Sequence, residues 1–165
     1  MKKIIHLISI LFFFHLLIGC AGYKPIFGSS NVKFNISEHL LEGEKEIGNK
    51  IYSKLNNLSK SQDEFPDSSL ISLTINAKKN KEKMSTDTSG KTTEYKITIN
   101  ADISIKNYLT NKSILIQTFK SSALYKVQPQ YSDTIKMENR TVEELIQKIY
   151  RDILIILSEK IANND

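Results

Sequence analysis

Nucleophilic and metal chemistry have little to work with in these 165 residues, which hold one cysteine, Cys20, and three histidines, His6, His15 and His39. Only His39 lies beyond Cys20. A multi-histidine metal centre needs several N or S donors and a Cys–His pair needs an imidazole set against the thiol, so the segment after Cys20 is built for neither. With no second cysteine an internal disulfide is excluded. The carboxylates Glu82, Asp87, Glu94 and Asp102 fall in polar stretches, not in the apolar clefts that split the pKa values of an acid–base pair. No phosphate-loop or dinucleotide glycine pattern is present. The expectation is a protein without catalytic residues, metal or cofactor. What does cluster is positive charge: Lys78, Lys79, Lys81, Lys83 and Lys91 against only Glu82 and Asp87. Lysines are flexible point charges suited to diffuse phosphate contact.

The cysteine has a context. Lys2 and Lys3 precede an apolar run from Ile4 to Ile18 that is interrupted by His6, Ser9 and His15. That run falls short of the roughly 20 apolar residues of a spanning helix and fits an export leader. It ends in Leu17-Ile18-Gly19-Cys20, which resembles the lipobox of bacterial lipoproteins, where the leader is cut before the cysteine and the cysteine is acylated. The organisation expected is a signal peptide over 1–19, a lipidated segment over 20–31 and one folded domain over 32–165. Several acyl chains hold a protein to a membrane where one alone is marginal. Ala21 stands where an aspartate retains such proteins in the inner membrane of enteric bacteria, so the resemblance implies the periplasmic face of the outer membrane. Without Lys2 and Lys3 the chain carries 21 basic against 18 acidic side chains. That excess is too small to make nucleic acid the expected partner.

The rest of the chain reads as the scaffold for these features. Val32, Phe34 and Ile36 alternate as in a strand. Ile47, Ile51, Leu55 and Leu58 form one stripe of an amphipathic helix over 42–59, with the pair Glu46–Lys50 at i,i+4. Ser61 to Ser69 is a turn-rich connection. Ile71, Leu73, Ile75 and Ala77 alternate, and Tyr95 to Ile105 do so more clearly. The lysines between them read as a hairpin tip around Gly90. In Ser113 to Val127 the parity changes, which places a bulge near Gln117-Thr118. Residues 128–139 read as an extended connection, and Thr141 with Glu144 reads as the capping box of a last helix. Its apolar set, Val142 to Ile161 with Leu154 and Ile155, spans more than half the circumference, so it is buried or touches a partner. The fold class expected is α+β in the order β-α-β-β-β-α, with two helices on one face of a four-stranded mixed sheet and a polar opposite face. A helical crossover from the first to the second strand favours parallel placement of the two, side by side or with another strand between them.

After the lipobox, Gly22-Tyr23-Lys24-Pro25-Ile26-Phe27-Gly28 resembles the mature start of the lipopolysaccharide-assembly lipoprotein family LptE, with Tyr23, Pro25, Phe27 and Gly28 as the matching residues. The resemblance extends to the strand Ser121–Val127 and to the closing helix with Glu144, Leu145 and the ladder from Ile149 to Ile161. It implies a non-enzymatic plug inside the outer-membrane barrel LptD, in a 1:1 complex, that helps the barrel assemble and meets arriving lipopolysaccharide. The lysine group Lys78, Lys79, Lys81, Lys83 and Lys91 is then the expected complement of lipid A and inner-core phosphates. The other reading of the same residues is a different small outer-membrane lipoprotein, an envelope structural factor or an accessory of a secretion complex.

Overall fold

The structure, a computed structural model, describes residues 34–60 and 69–162. Cys20, the stretch Tyr23 to Gly28, Val32 and the connection 61–68 lie outside the described residues. Four strands and two helices follow the expected order: β1 Phe34–Gly43, α1 Lys45–Lys60, β2 Ser69–Thr86, β3 Thr92–Asn107, β4 Ser113–Lys126 and α2 Tyr131–Ala162. The sheet order is β1-β2-β3-β4, with β1 parallel to β2 and the other pairs antiparallel. Among the described residues no strand intervenes between β1 and β2.

Both helices cover one face. Ile97, Ile99, Ala101, Ile103 and Ile105 of β3 are at most 1% exposed and share one core with Ile51 and Leu55 of α1 and Ile146, Ile149 and Ile153 of α2. Burying each of these isoleucines and Leu55 contributes roughly 1.5–3 kcal/mol, which makes this layer the main source of stability in the described domain. The opposite face carries Ser72, Thr74, Asn76, Asn100 and Asp102, as the alternation predicts.

Four local readings are corrected. β1 continues seven residues past Ile36, because a bulge at Ser37 resets its parity and turns His39 and Leu41 toward α1. In α1 the stripe ends on Ser59 and Leu58 is only partly buried. The Ser59 hydroxyl accepts from Ile36 N–H at 3.3 Å and donates to Asn35 at 3.4 Å, tying the end of α1 to the start of β1. The extra residue of β4 is Ile114, not Gln117 or Thr118: Ile105 pairs with Leu115 and Lys106 with Ser113. Leu115, Phe119 and Tyr125 therefore share the helix side, and Ile116, 71% exposed, belongs to the bare face.

The largest correction concerns α2, which begins ten residues before Thr141. Thr141 is no cap; its hydroxyl donates to Met137 O at 2.8 Å, the back-bond of a mid-helix threonine. The start is built instead by Gln130, whose carbonyl accepts from Asp133 and Thr134 N–H, and by Thr134, whose hydroxyl accepts from Gln128 N–H at 2.8 Å. Asp133 in the first turn suits the helix dipole. Of the broad apolar circumference, Leu154 and Ile156 pack against the core and Ile155 is left exposed. The expected Glu46–Lys50 pair is present, and Lys50 also reaches Glu143 of α2 at 2.8 Å.

Candidate functional site

β2 does not stop at Ala77. Its antiparallel pairing with β3 runs on through Lys78 and Asn100, Lys81 and Ile97, and Lys83 and Tyr95 to Thr86 and Thr92. The lysine stretch is thus a strand, and the hairpin tip is confined to Asp87–Lys91. Pairing decides where each lysine goes. Lys79, Lys81 and Lys83 stand on the helix side with Ile97 and Tyr95, Lys78 stands on the bare face, and Lys91 closes the turn.

β1 leaves the sheet at this level. Gly43 adopts φ 68° and turns the chain into α1, and a Cβ added there would collide with Ala77 O. Glu44 then takes over the edge, donating its N–H to Ala77 O at 2.8 Å and accepting Lys79 N–H on its carboxylate at 2.7 Å.

Three of the predicted residues are brought into one neighbourhood. Lys81 donates to Glu138 Oε2 at 2.5 Å, and the same oxygen accepts the Tyr125 hydroxyl at 2.9 Å. Lys79 lies 3.9 Å from Glu138 Oε1. The Lys81 ammonium also sits 4.4 Å above the Tyr95 ring, which stacks on Tyr125 at 5.7 Å. Burial opposes charge on both Lys81 and Glu138, but their mutual hydrogen bond, the Tyr125 hydroxyl and the opposite charges prevail. The Lys81 pKa is therefore raised and that of Glu138 lowered, and both stay ionised near neutrality. Burial foremost pushes the Tyr125 phenol up, so it remains a donor. Beside this group a cleft of about 430 Å³ opens between the hairpin and the first turn of α2, with Lys81, Lys91, Tyr95, Gln128, Tyr131 and Thr134 among its walls. Two lysines converge on it, while Lys78 and Lys83 do not line it.

Chemically the arrangement can hold an anion or a sugar-like polar group by charge, hydroxyl and aromatic contact. Among the described residues no group of three His, Cys, Asp or Glu is placed to hold a metal. The carboxylates weighed from the sequence have local tasks. Asp102 accepts from Thr118 at 2.7 Å on the bare face, and Glu82 accepts from Asn80. Asp87 accepts from Ser89 and from Lys91 N–H, and these bonds, the Ser89 hydroxyl first, hold its pKa down. Glu94 pairs with Lys126 across β3 and β4. His39 stacks on Tyr52 at 3.9 Å. Sequence reasoning missed Glu138 because its segment read as extended. The signal was the spacing Thr134, Glu138, Thr141, Leu145, a helical stripe in which threonines fill the buried positions.

No protein-family model matches the chain, and neither does any curated protein. Solved structures do match it. A candidate lipoprotein of Caulobacter crescentus superimposes with a TM-score of 0.57 at 14% identity, over 79% of this chain and 92% of that one. The rare lipoprotein B of Shewanella oneidensis gives 0.52 at 13% identity, over 78% and 99%. A lipoprotein B of Nitrosomonas europaea gives 0.54 at 15% identity, over 81% and 88%. The fold is thus one shared with small bacterial lipoproteins, almost across their full length. No described helix is long and apolar enough to cross a membrane.

Proposed function

We propose that this chain is a small outer-membrane lipoprotein, anchored through Cys20 on the periplasmic face and acting by binding, not catalysis. The observation that carries the proposal is the likeness of its whole described domain to chains described as lipoproteins, behind a leader that ends in Leu17-Ile18-Gly19-Cys20. Within that class the reading is an LptE-type partner of the LptD barrel that plugs it and supports insertion of lipopolysaccharide. Tyr23, Pro25, Phe27 and Gly28 support this finer step, and a hydroxyl- and amide-rich bare sheet face suits a hydrated barrel lumen. The same fold would serve an envelope structural factor or a secretion-complex accessory.

A mild-detergent pull-down of the tagged mature protein separates these readings. A stoichiometric large β-barrel is expected, and a different partner would move the assignment to the accessory class. For lipopolysaccharide, the structure divides the five lysines into those on the cleft and those off it. Replacing Lys81 and Lys91 by Gln should weaken binding and flatten its salt dependence, and replacing Lys78 and Lys83 should do so less. Equal affinity in both variants, each shown to be folded, would remove the cleft as the contact.

A further inference from the structure

We infer that the β3–β4 turn, Asn107 to Lys112, is a second membrane contact that lays Tyr108 and Leu109 on the phospholipid surface beside the anchor. This rests on the reading of Cys20 as the lipidated residue. Leu109 is 76% exposed and Tyr108 46%, adjacent apolar side chains at the end of a two-strand connection. The turn is built rather than loose. Asn107 Oδ1 accepts Leu109 N–H at 3.0 Å and Thr110 N–H at 2.9 Å, its own N–H donates to Lys112 O at 2.8 Å, and Asn111 takes φ 56° to close the loop. A finger already held in shape loses little conformational entropy on docking.

Its position names the occupant. Tyr108 N–H donates to Leu70 O, and Leu70 is paired with Asn35 on the far side of β2. The turn therefore stands about two strand spacings, roughly 10 Å, from the point where the chain enters the fold. Phe34 follows Cys20 by 14 positions. Such a segment spans roughly 20 Å as a coil and about 50 Å at full stretch. An acylated Cys20 thus keeps this end of the domain within reach of the bilayer. Tyrosine is suited to the interface by its apolar body and polar tip, and leucine to the acyl boundary. Lys106 and Lys112 flank the pair, and no carboxylate lies between Lys106 and Ile116, which favours anionic headgroups. The lysine-lined cleft sits at the other end of the strands, directed away from the anchoring surface.

The chain has no tryptophan, so Leu109→Trp supplies a single reporter at an exposed position, with Met84→Trp, 49% exposed at the far end of β2, as its control. Each mature protein is reconstituted into phosphatidylethanolamine–phosphatidylglycerol vesicles with or without brominated acyl chains. For the Leu109→Trp protein the expected result is blue-shifted emission that falls by roughly half with bromine, because an interfacial side chain sits about 5–10 Å into the headgroup boundary. The Met84→Trp protein should be barely quenched. Equal quenching of the two proteins overturns the inference. A blue shift without quenching in the Leu109→Trp protein means that protein covers the turn, whether residues 20–33 or a partner, and also overturns it. Intact mass and vesicle flotation keep the two readings apart. A chain without acyl mass that does not float sinks both, and an acylated, floating Leu109→Trp chain whose indole is unquenched sinks the turn alone.

Discussion

On the helix side of β2, Ile71, Leu73, Ile75 and Ala77 are all at most 1% exposed, while Lys79, Lys81 and Lys83 continue the same row and remain open to solvent in part. One strand thus serves two regions under different rules. Up to Ala77 it is a wall of an aliphatic core closed by β1, α1 and α2, and position there is enforced by packing. Past Ala77 β1 has gone, Glu44 covers the first open amide, and α2 holds the sheet through Glu138, two tyrosines and a lysine. Pairing makes the strand; burial is a separate property that can stop halfway along it.

The sharpest test of this division is Ile153→Ala, in the fully buried row of α2. A cost of about 2–5 kcal/mol is expected from denaturant midpoints of the described domain. An unchanged midpoint would mean that the aliphatic half is not the support. At the border, Gly43→Ala should cost about 1–3 kcal/mol, because the left-handed φ and the contact with Ala77 O both oppose a Cβ. In the charged half, Glu138→Gln is expected to cost only about 1 kcal/mol, since the Lys81 side chain is 35% exposed and solvent screens the pair.

The Glu138 variant also carries a pH signature. The Glu138 pKa in the fold is below its ordinary 4.5, so its contribution is complete above that value and fades as pH falls through the depressed one. Lys81, raised above 10.5, contributes fully below that value and loses its contribution only as pH rises through the higher folded one. Between these limits wild type and Glu138→Gln should differ by a constant amount, and the gap should close in acid. A gap that widens in acid would refute the tie. The smallest effect is expected at Ser121, whose buried hydroxyl has no hydrogen-bond partner among the described residues. Ser121→Ala should change stability by no more than about 0.5 kcal/mol, or raise it slightly, by thermal melting.

The element order, the mixed sheet and the covered face were legible because Ile97 to Ile105 and Ile47 to Leu55 advertise periods of 2 and 3.6. What escaped was wherever the row facing the helices used residue types other than aliphatics. Lys79 to Lys83 hid the continuation of β2 to Thr86, although a strand ending at Ala77 could never have satisfied the longer run from Tyr95 to Ile105. Threonines at 134 and 141 hid the first turns of α2, and with them Glu138. Lys81 and Lys91 were legible as candidates from charge alone. Their separation from Lys78 was not, because it depends on register, which a one-residue slip would invert.

The parallel placement of β1 has a consequence for the order in which the domain comes together. Thr86 and Thr92 meet across six residues of chain, but Phe34 must wait for Ser69, 35 residues on, with a whole helix laid between them. Closing distant segments costs more chain entropy before any contact rewards it, so the β2–β3 hairpin is expected to form early and β1 to dock late. By the same reasoning β1 should be first to let go, with its amides exchanging hydrogen before those of Ile97 to Ile103. β1, first in the chain, is then the strand whose seating reports that folding is complete.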